Sequence, residues 1–275
     1  MIKEKFERFR SLISAEPYNT DLDVFNKTKW FDEAWGTFQR TLFYMDPKNR
    51  RSRLRPEHKP IGKKRLEYEK KVEQVKNSVF KKIINEFPSD VKNLDNWYKQ
   101  MITYNYGLSD KTPPFDYMSI GHRQKMVNIL IKYFLTYFHT TKDKERELFI
   151  DGVSQESFKE FEKNILKNIS HIHIPLDEYV LSSLYENEEY RKKFNGHIEI
   201  FKIRKKKPPC RGGEEGKKRR KDKDCPSYRL LVKGGEISWS RINNYDIYFD
   251  VQKVIRKLSE KEKMSPIEFE MEIWD

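Results

Sequence analysis

The sequence predicts a mainly α-helical protein carrying one basic β-hairpin insertion. Three observations predict it. Apolar residues recur at helical spacing through most of the first two hundred residues, a period-two alternation replaces that spacing near residue 197, and aromatic residues are abundant, with 18 Phe, 15 Tyr and 5 Trp among 275 residues. The aromatics decide between order and disorder. At 36% charged residues and a mean hydropathy of -0.92, a chain poor in rings would lean towards disorder. Large rings bury much area per side chain and support a small core.

The elements follow in order. Phe6, Phe9, Leu12 and Ile13 mark a short amphipathic helix, broken at Pro17 to Thr20. Asp21 or Asp23 caps a long second helix through Phe25, Trp30, Phe31, Trp35, Phe38, Leu42 and Phe43. Pro47, Pro56, Pro60 and Gly62 break the chain before a helix with Tyr68, Val72, Val75, Val79, Phe80 and Ile83. Leu94, Trp97, Tyr98 and Ile102 mark the next. The stretch from Gly107 to Ile120, with Pro113 and Pro114, reads as loop, and a helix from Gly121 to His139 is the most apolar of the chain. Ser154 opens another through Phe158, Phe161, Ile165 and Leu166. After His171 to Pro175 a short helix starts near Leu176 and Asp177. The alternation His197-Ile-Glu-Ile-Phe-Lys-Ile-Arg204 predicts a strand with Tyr228–Val232 as partner. Between them Lys205–Asp224 is low-complexity and basic, expected to be disordered without a ligand. Helical spacing returns from Tyr245 to Leu258, and a last short helix follows Pro266 and ends at Trp274. The expected organisation is a helical body, 1–196 and 236–275, with the hairpin insertion at 197–235.

Charge points to a partner. The net charge is +13, and it is concentrated. Lys48 to Arg65 carries nine basic residues and one acidic; Lys202 to Lys223 carries twelve and three. Clustered Lys and Arg suit a polyphosphate, because each neutralised phosphate releases counterions. Neither cluster adjoins an amphipathic or lipidated segment, so nucleic acid is expected in preference to an anionic membrane. No apolar stretch approaches the roughly 20 residues a bilayer requires, and the beginning MIKEKFERFR has no apolar signal core. Two cysteines, Cys210 and Cys225, make no disulfide framework. A soluble, monomeric, cytoplasmic protein is the expectation.

One stretch carries chemistry: Ser119-Ile-Gly-His-Arg-Gln-Lys-Met-Val-Asn-Ile-Leu-Ile-Lys-Tyr-Phe134, a glycine turn feeding an apolar helix that holds polar residues. Gln124, Lys125, Asn128 and Lys132 are set among its apolar positions, and Lys125 and Lys132, seven apart, share a face. An unpaired buried ammonium is costly; snorkelling explains Lys132. Lys125, just after the turn, can face a cleft or a phosphate, with backbone N–H groups of Gly121, His122 and Arg123 helping to hold an anion. Asp177, in Ile174-Pro-Leu-Asp177, reads on its own as a helix N-cap.

The order of these pieces, Gln124-Lys125 after a turn, then Pro175-Leu176-Asp177, then Ser265-Pro-Ile-Glu-Phe-Glu-Met-Glu-Ile-Trp274, resembles the helix-hairpin-helix DNA glycosylase superfamily, closest to its archaeal 8-oxoguanine glycosylase-like branch. The pattern departs from the family in two places. The usual Gly-x-Gly of the hairpin is Ser119-Ile-Gly121, and the Lys-to-Asp interval of 52 residues is long, so that Thr140–Asp151 and the Ser154–Ser170 helix stand as an insertion.

The resemblance implies a helix-hairpin-helix fold and a flipped nucleotide. Asp177 stabilises the charge developing on the deoxyribose or activates water. Lys125 attacks the sugar carbon as a neutral amine, or holds a phosphate. Gln124, Asn128, Lys132, Tyr133, Trp239 and Trp274 line or back the base pocket, with Tyr137 a further aromatic candidate. Gly121, His122, Arg123, Arg50, Arg51, Arg53, Lys205, Lys206 and Lys207 meet the backbone of double-stranded DNA. Neither metal nor cofactor is required. The base that the resemblance implies is an oxidised purine or, by analogy with related glycosylases that act against phages, glucosylated hydroxymethylcytosine.

Other chemistries fit less well. His197-Ile-Glu199 with Pro209-Cys210 evokes a zinc deaminase, but the second cysteine stands fifteen residues on. His171-Ile-His173 is an isolated pair. No phosphate-loop or nucleophile-turn motif occurs. The competing expectation is a non-catalytic or toxin-like helical nucleic-acid-binding protein, in which Lys125 contacts phosphate and Asp177 caps a helix.

Overall fold

The computed structural model describes residues 2–14, 34–35, 63–104, 118–140, 152–193, 199–204, 226–232 and 235–273. The fold is mainly helical with one small sheet. Helices α1 (Ile2–Ser14), α2 (Lys63–Glu86), α3 (Val91–Thr103), α4 (Ile120–Thr140), α5 (Gln155–Lys167), α6 (Glu178–Glu186), α7 (Glu188–Lys193), α8 (Tyr245–Lys261) and α9 (Pro266–Glu272) are joined by 3-10 turns at Ile169–His171 and Trp239–Arg241. The long helix expected from Asp21 onwards falls outside the described residues apart from Ala34 and Trp35, which are helical and buried. Also outside them lie Arg50, Arg51, Arg53, Lys205, Lys206, Lys207 and Trp274.

Local chemistry starts the helices, at Ser154 as the sequence marks it and elsewhere at caps that the apolar spacing did not single out. Asp90 caps α3 through the Lys92 N–H, Ser154 caps α5 through the Ser157 N–H, and Asn244 caps α8 through the Asp246 N–H. Ser265 and Glu268 form a reciprocal capping box at α9, with Pro266 in the first turn. Helix α4 is buried on every side from Gln124 to Tyr137, as an element wrapped by neighbours must be. Phe134 meets Phe158 and Phe161 of α5, and Phe6 stacks on His139.

Strands β1 (Glu199–Arg204) and β2 (Pro226–Val232) pair antiparallel, with Ile200 opposite Leu230, both buried. A third strand that the alternation did not indicate, β3 (Gly235–Ile237), extends the sheet to the order β1-β2-β3. The sheet therefore runs past the expected end of the insertion at 235. It docks on α6: the Tyr228 N–H donates to Glu178 Oε1 (2.6 Å), and the Tyr228 hydroxyl and Lys202 Nζ both donate to Glu186 Oε1.

The His171-Ile-His173 pair is structural. His173 is fully buried, stacked on Tyr98 with centroids 3.8 Å apart. Its Nε2 lies 2.6 Å from Arg256 Nη2, which can only donate, so the ring proton sits on Nδ1, 2.8 Å from the Tyr248 hydroxyl. Arg256 in turn pairs with Asp95. Burial pushes His173 down to about 4; Asp95 opposes the shift and Arg256 adds to it. The unfolded chain binds a proton at this ring below about pH 6.5 and the folded one does not until about 4, so stability falls as pH drops through that window, by ~3 kcal/mol in all. Urea denaturation across pH 4–7 should show this loss. In the same range the His173 ring resonances of the folded protein should not titrate above pH 5; a ring titrating near 6.5 would contradict the buried, neutral assignment.

Candidate active site

The site is built around an extended segment, Ile172 to Leu176, that runs between α4 and α8 and belongs to neither helix nor sheet. Its backbone groups are buried and need partners, and side-chain amides supply them. Gln252 accepts the Ile174 N–H (3.1 Å) and donates to the Ile174 carbonyl (2.9 Å). Gln124 does the same for Leu176, accepting its N–H at 3.0 Å and donating to its carbonyl at 2.7 Å. Asn128 donates to the Ile174 carbonyl at 2.9 Å, and the His173 N–H donates to the Tyr98 hydroxyl. Gln124 and Asn128, expected at or behind a base pocket, thus lie wholly buried as clamps on the segment.

The clamped segment delivers Asp177. Its Oδ1 accepts the N–H groups of Tyr179 and Val180 and caps α6. Its Oδ2 accepts a hydrogen bond from Lys125 Nζ at 2.9 Å, so two residues 52 apart in sequence meet. Both side chains keep a little exposure, 10% for Lys125 and 13% for Asp177. The ammonium also sits 4.9 Å from the Trp239 ring centre, an attractive placement for a cation. Trp239 is buried and meets the His122 ring edge-on at 5.7 Å.

Lys132 does not snorkel. It is sealed in the interior, its Nζ 2.8 Å from Glu270 Oε1 and 4.0 Å from the Phe9 ring centre, with side-chain exposures of 4% and 1% for Lys132 and Glu270. Burial raises the Glu270 carboxyl above its ordinary range, against the pull of Lys132. Tyr133 packs edge-on against Phe9, and Tyr137 is fully buried; both are core residues.

The turn before α4 is engaged inside the fold. The Gly121 N–H donates to the Ile242 carbonyl, and the His122 and Arg123 N–H groups donate to the Ser119 carbonyl. These groups were expected to hold an anion; here their hydrogens serve the turn. Gly121 has a packing reason instead: a Cβ there would lie 1.8 Å from the Trp239 carbonyl oxygen. Arg123 is partly exposed and donates to the Thr103 carbonyl.

Gln252, Glu270 and Glu178 were not singled out by sequence reasoning. The available signals were a glutamine on the apolar face of α8 and a glutamate in the apolar row of α9. Among the described residues no group of three or more His, Cys, Asp or Glu stands at metal-binding distance, and no helix is long and apolar enough to cross a membrane. The chain matches no family model, no curated protein and no solved structure.

Two substitutions test this construction. Gly121→Ala pushes a methyl group into backbone and should cost about 3 kcal/mol, the upper end for overpacking, read as a lowered urea midpoint. Glu270→Gln strands the buried Lys132 ammonium and should cost ~3–5 kcal/mol, whereas Lys132→Met combined with Glu270→Met should recover most of it. An additive double mutant would mean that the pair does not interact.

Proposed function

We propose that the protein is a DNA glycosylase of the helix-hairpin-helix kind, which extrudes a modified base from duplex DNA and excises it to leave an abasic site. The observation that carries this reading is the 2.9 Å meeting of Lys125 and Asp177 at the start of α6. An amine and a carboxylate from distant parts of the chain share one partly exposed position, beside a buried tryptophan ring. The carboxylate stabilises the positive charge that develops on the deoxyribose as the glycosidic bond breaks, or orients water onto it. The Lys125 side chain either gives up a proton and, as a neutral amine, attacks the sugar carbon while the base departs with the glycosidic bonding pair, or stays charged and holds a phosphate. The basic segments identified in the sequence supply the polyphosphate attraction, and the substrate base is an oxidised purine or glucosylated hydroxymethylcytosine.

A second reading draws on the other oxygen of the same carboxylate. Asp177 Oδ1 caps α6 with two N–H bonds, so the pair also suits a non-catalytic nucleic-acid-binding protein in which both residues are structural. Asp177→Asn separates the two. Asparagine caps a helix about as well as aspartate, so the variant should fold and bind duplex. As a glycosylase it should lose about 100- to 1000-fold in excision rate. The assay incubates the protein with duplexes containing normal bases, 8-oxoguanine or glucosylated hydroxymethylcytosine and scores abasic sites by alkaline cleavage. Duplex binding with no abasic sites on any substrate would establish the second reading. Borohydride trapping of a covalent adduct lost in Lys125→Gln would assign the amine as nucleophile.

A further inference from the structure

His122 is half-buried, with a buried ring nitrogen, and neither reading gives that nitrogen a role. The Ser119 hydroxyl donates to the Ser240 carbonyl at 2.7 Å, so its oxygen is left to accept from His122 Nδ1 at 2.8 Å. That fixes the ring proton on Nδ1 and leaves Nε2 as a lone-pair acceptor. Burial, and next the charge of Lys125, push His122 down to about 4, so the ring is neutral at physiological pH. Nε2 is buried and has no hydrogen-bond partner among the described residues. Buried acceptors are ordinarily satisfied, and an orphan calls for an explanation.

The geometry offers one. His122 and Lys125 stand three residues apart on α4 and are neighbours on its surface. The same Trp239 ring lies against the edge of His122 and beneath the Lys125 ammonium. That ammonium has three N–H bonds, and one of them reaches Asp177 Oδ2. The chemistry proposed above works best with that oxygen released, because a hydrogen bond from the Lys125 ammonium neutralises part of the charge that a sugar cation or an attacking water draws on.

We propose that His122 is a positioning residue that accepts the Lys125 ammonium through Nε2 when Asp177 turns to the substrate. The inference rests on the glycosylase reading for its purpose, though not for its geometry. The exchange is a swap of one hydrogen-bond acceptor for another; no proton changes owner. It lets the carboxylate leave without stranding a buried cation.

Two measurements test it. The first needs no excision. In Asp177→Asn, the histidine ring ¹⁵N spectrum should show His122 Nε2 moving upfield from its free-acceptor position as it takes the ammonium; Lys125→Met in that background should reverse the move. An unmoved resonance overturns the proposal. The second is kinetic. His122→Phe keeps a ring and loses the acceptor, and should slow single-turnover excision, measured at saturating protein, about tenfold or more. His122→Gln, which restores an acceptor, should recover most of the rate. A phenylalanine variant excising at the wild-type rate overturns the proposal. If the nitrogen moves but the wild-type protein excises nothing, the glycosylase reading fails and the acceptor swap stands as a property of the ion pair.

Discussion

The site depends on the satisfaction of a buried extended backbone by side-chain amides. A strand inside a sheet finds donors and acceptors on its neighbours; Ile172 to Leu176 has no strand beside it. A glutamine amide carries a donor and an acceptor on one carbon, so it can pair both backbone groups of a single residue as a neighbouring strand would. Gln252 does this at Ile174 and Gln124 at Leu176. The two clamps come from opposite helices, α8 and α4, and fix the segment from both sides. A glutamate in either place loses the donor; a leucine at 124 leaves both Leu176 groups unpaired, and one at 252 leaves the Ile174 N–H unpaired while Asn128 still serves the carbonyl. Asp177 follows the second clamp by one residue, so its position is set by bonds to the same helix that carries Lys125.

Helix α4 presents two ammonium groups two turns apart, and each meets a carboxylate from a later part of the chain. The pairs differ in access. Lys132 and Glu270 are sealed and tie α9 to α4 beneath Phe9. A pair so enclosed is costly to break, since removing either partner strands the other in a low-dielectric interior. Lys125 and Asp177 keep a margin of exposure. Lys125 is still mostly enclosed, so its ammonium needs another acceptor if Asp177 leaves it. Exposure, and not the chemistry of the groups, separates the sealed pair from the one that solvent reaches.

Much of the helical framework was legible in the sequence because helices announce themselves locally. Ser154, Asn244 and Ser265 with Glu268 cap helices by contacts within four residues, and the apolar spacing of α3, α4 and α8 is visible in any short window. The pairing of Glu199–Arg204 with Pro226–Val232 was legible in the same way, from alternation. The three-residue strand β3 is too short to carry a period. At the site, Lys125 and Asp177 could be named as residues, but their meeting depends on the path of 52 intervening residues. The partner of Lys132 was illegible for a related reason: Glu270 lies 138 residues on, and its place in the apolar row of α9 hints at burial without naming a partner. Lysine on an apolar helix suggested a side chain reaching water, and the long-range carboxylate removed the need to reach it. Gln252 sat in the apolar row of α8, where its polarity was the signal and its backbone partner was beyond reach of the pattern.

The two consecutive acids at the start of α6 show how the small sheet is tied to the site. Asp177 turns to Lys125 and to the N–H groups of its own helix, whereas Glu178 accepts the Tyr228 N–H of β2. Tyr228 lies two residues from Pro226, the end of the β1–β2 ladder opposite Arg204. At about 3.3 Å per residue, the chain leaves and rejoins the sheet about 7 Å along the strand from the Tyr228 bond. The residues that join those two ends, 205–225, include ten Lys and Arg against four Asp and Glu. The point from which this basic stretch departs is therefore anchored to the residue next to the candidate catalytic carboxylate. Through the Tyr228–Glu178 bond, a displacement of β2 would bear on the first turn of the helix that Asp177 caps.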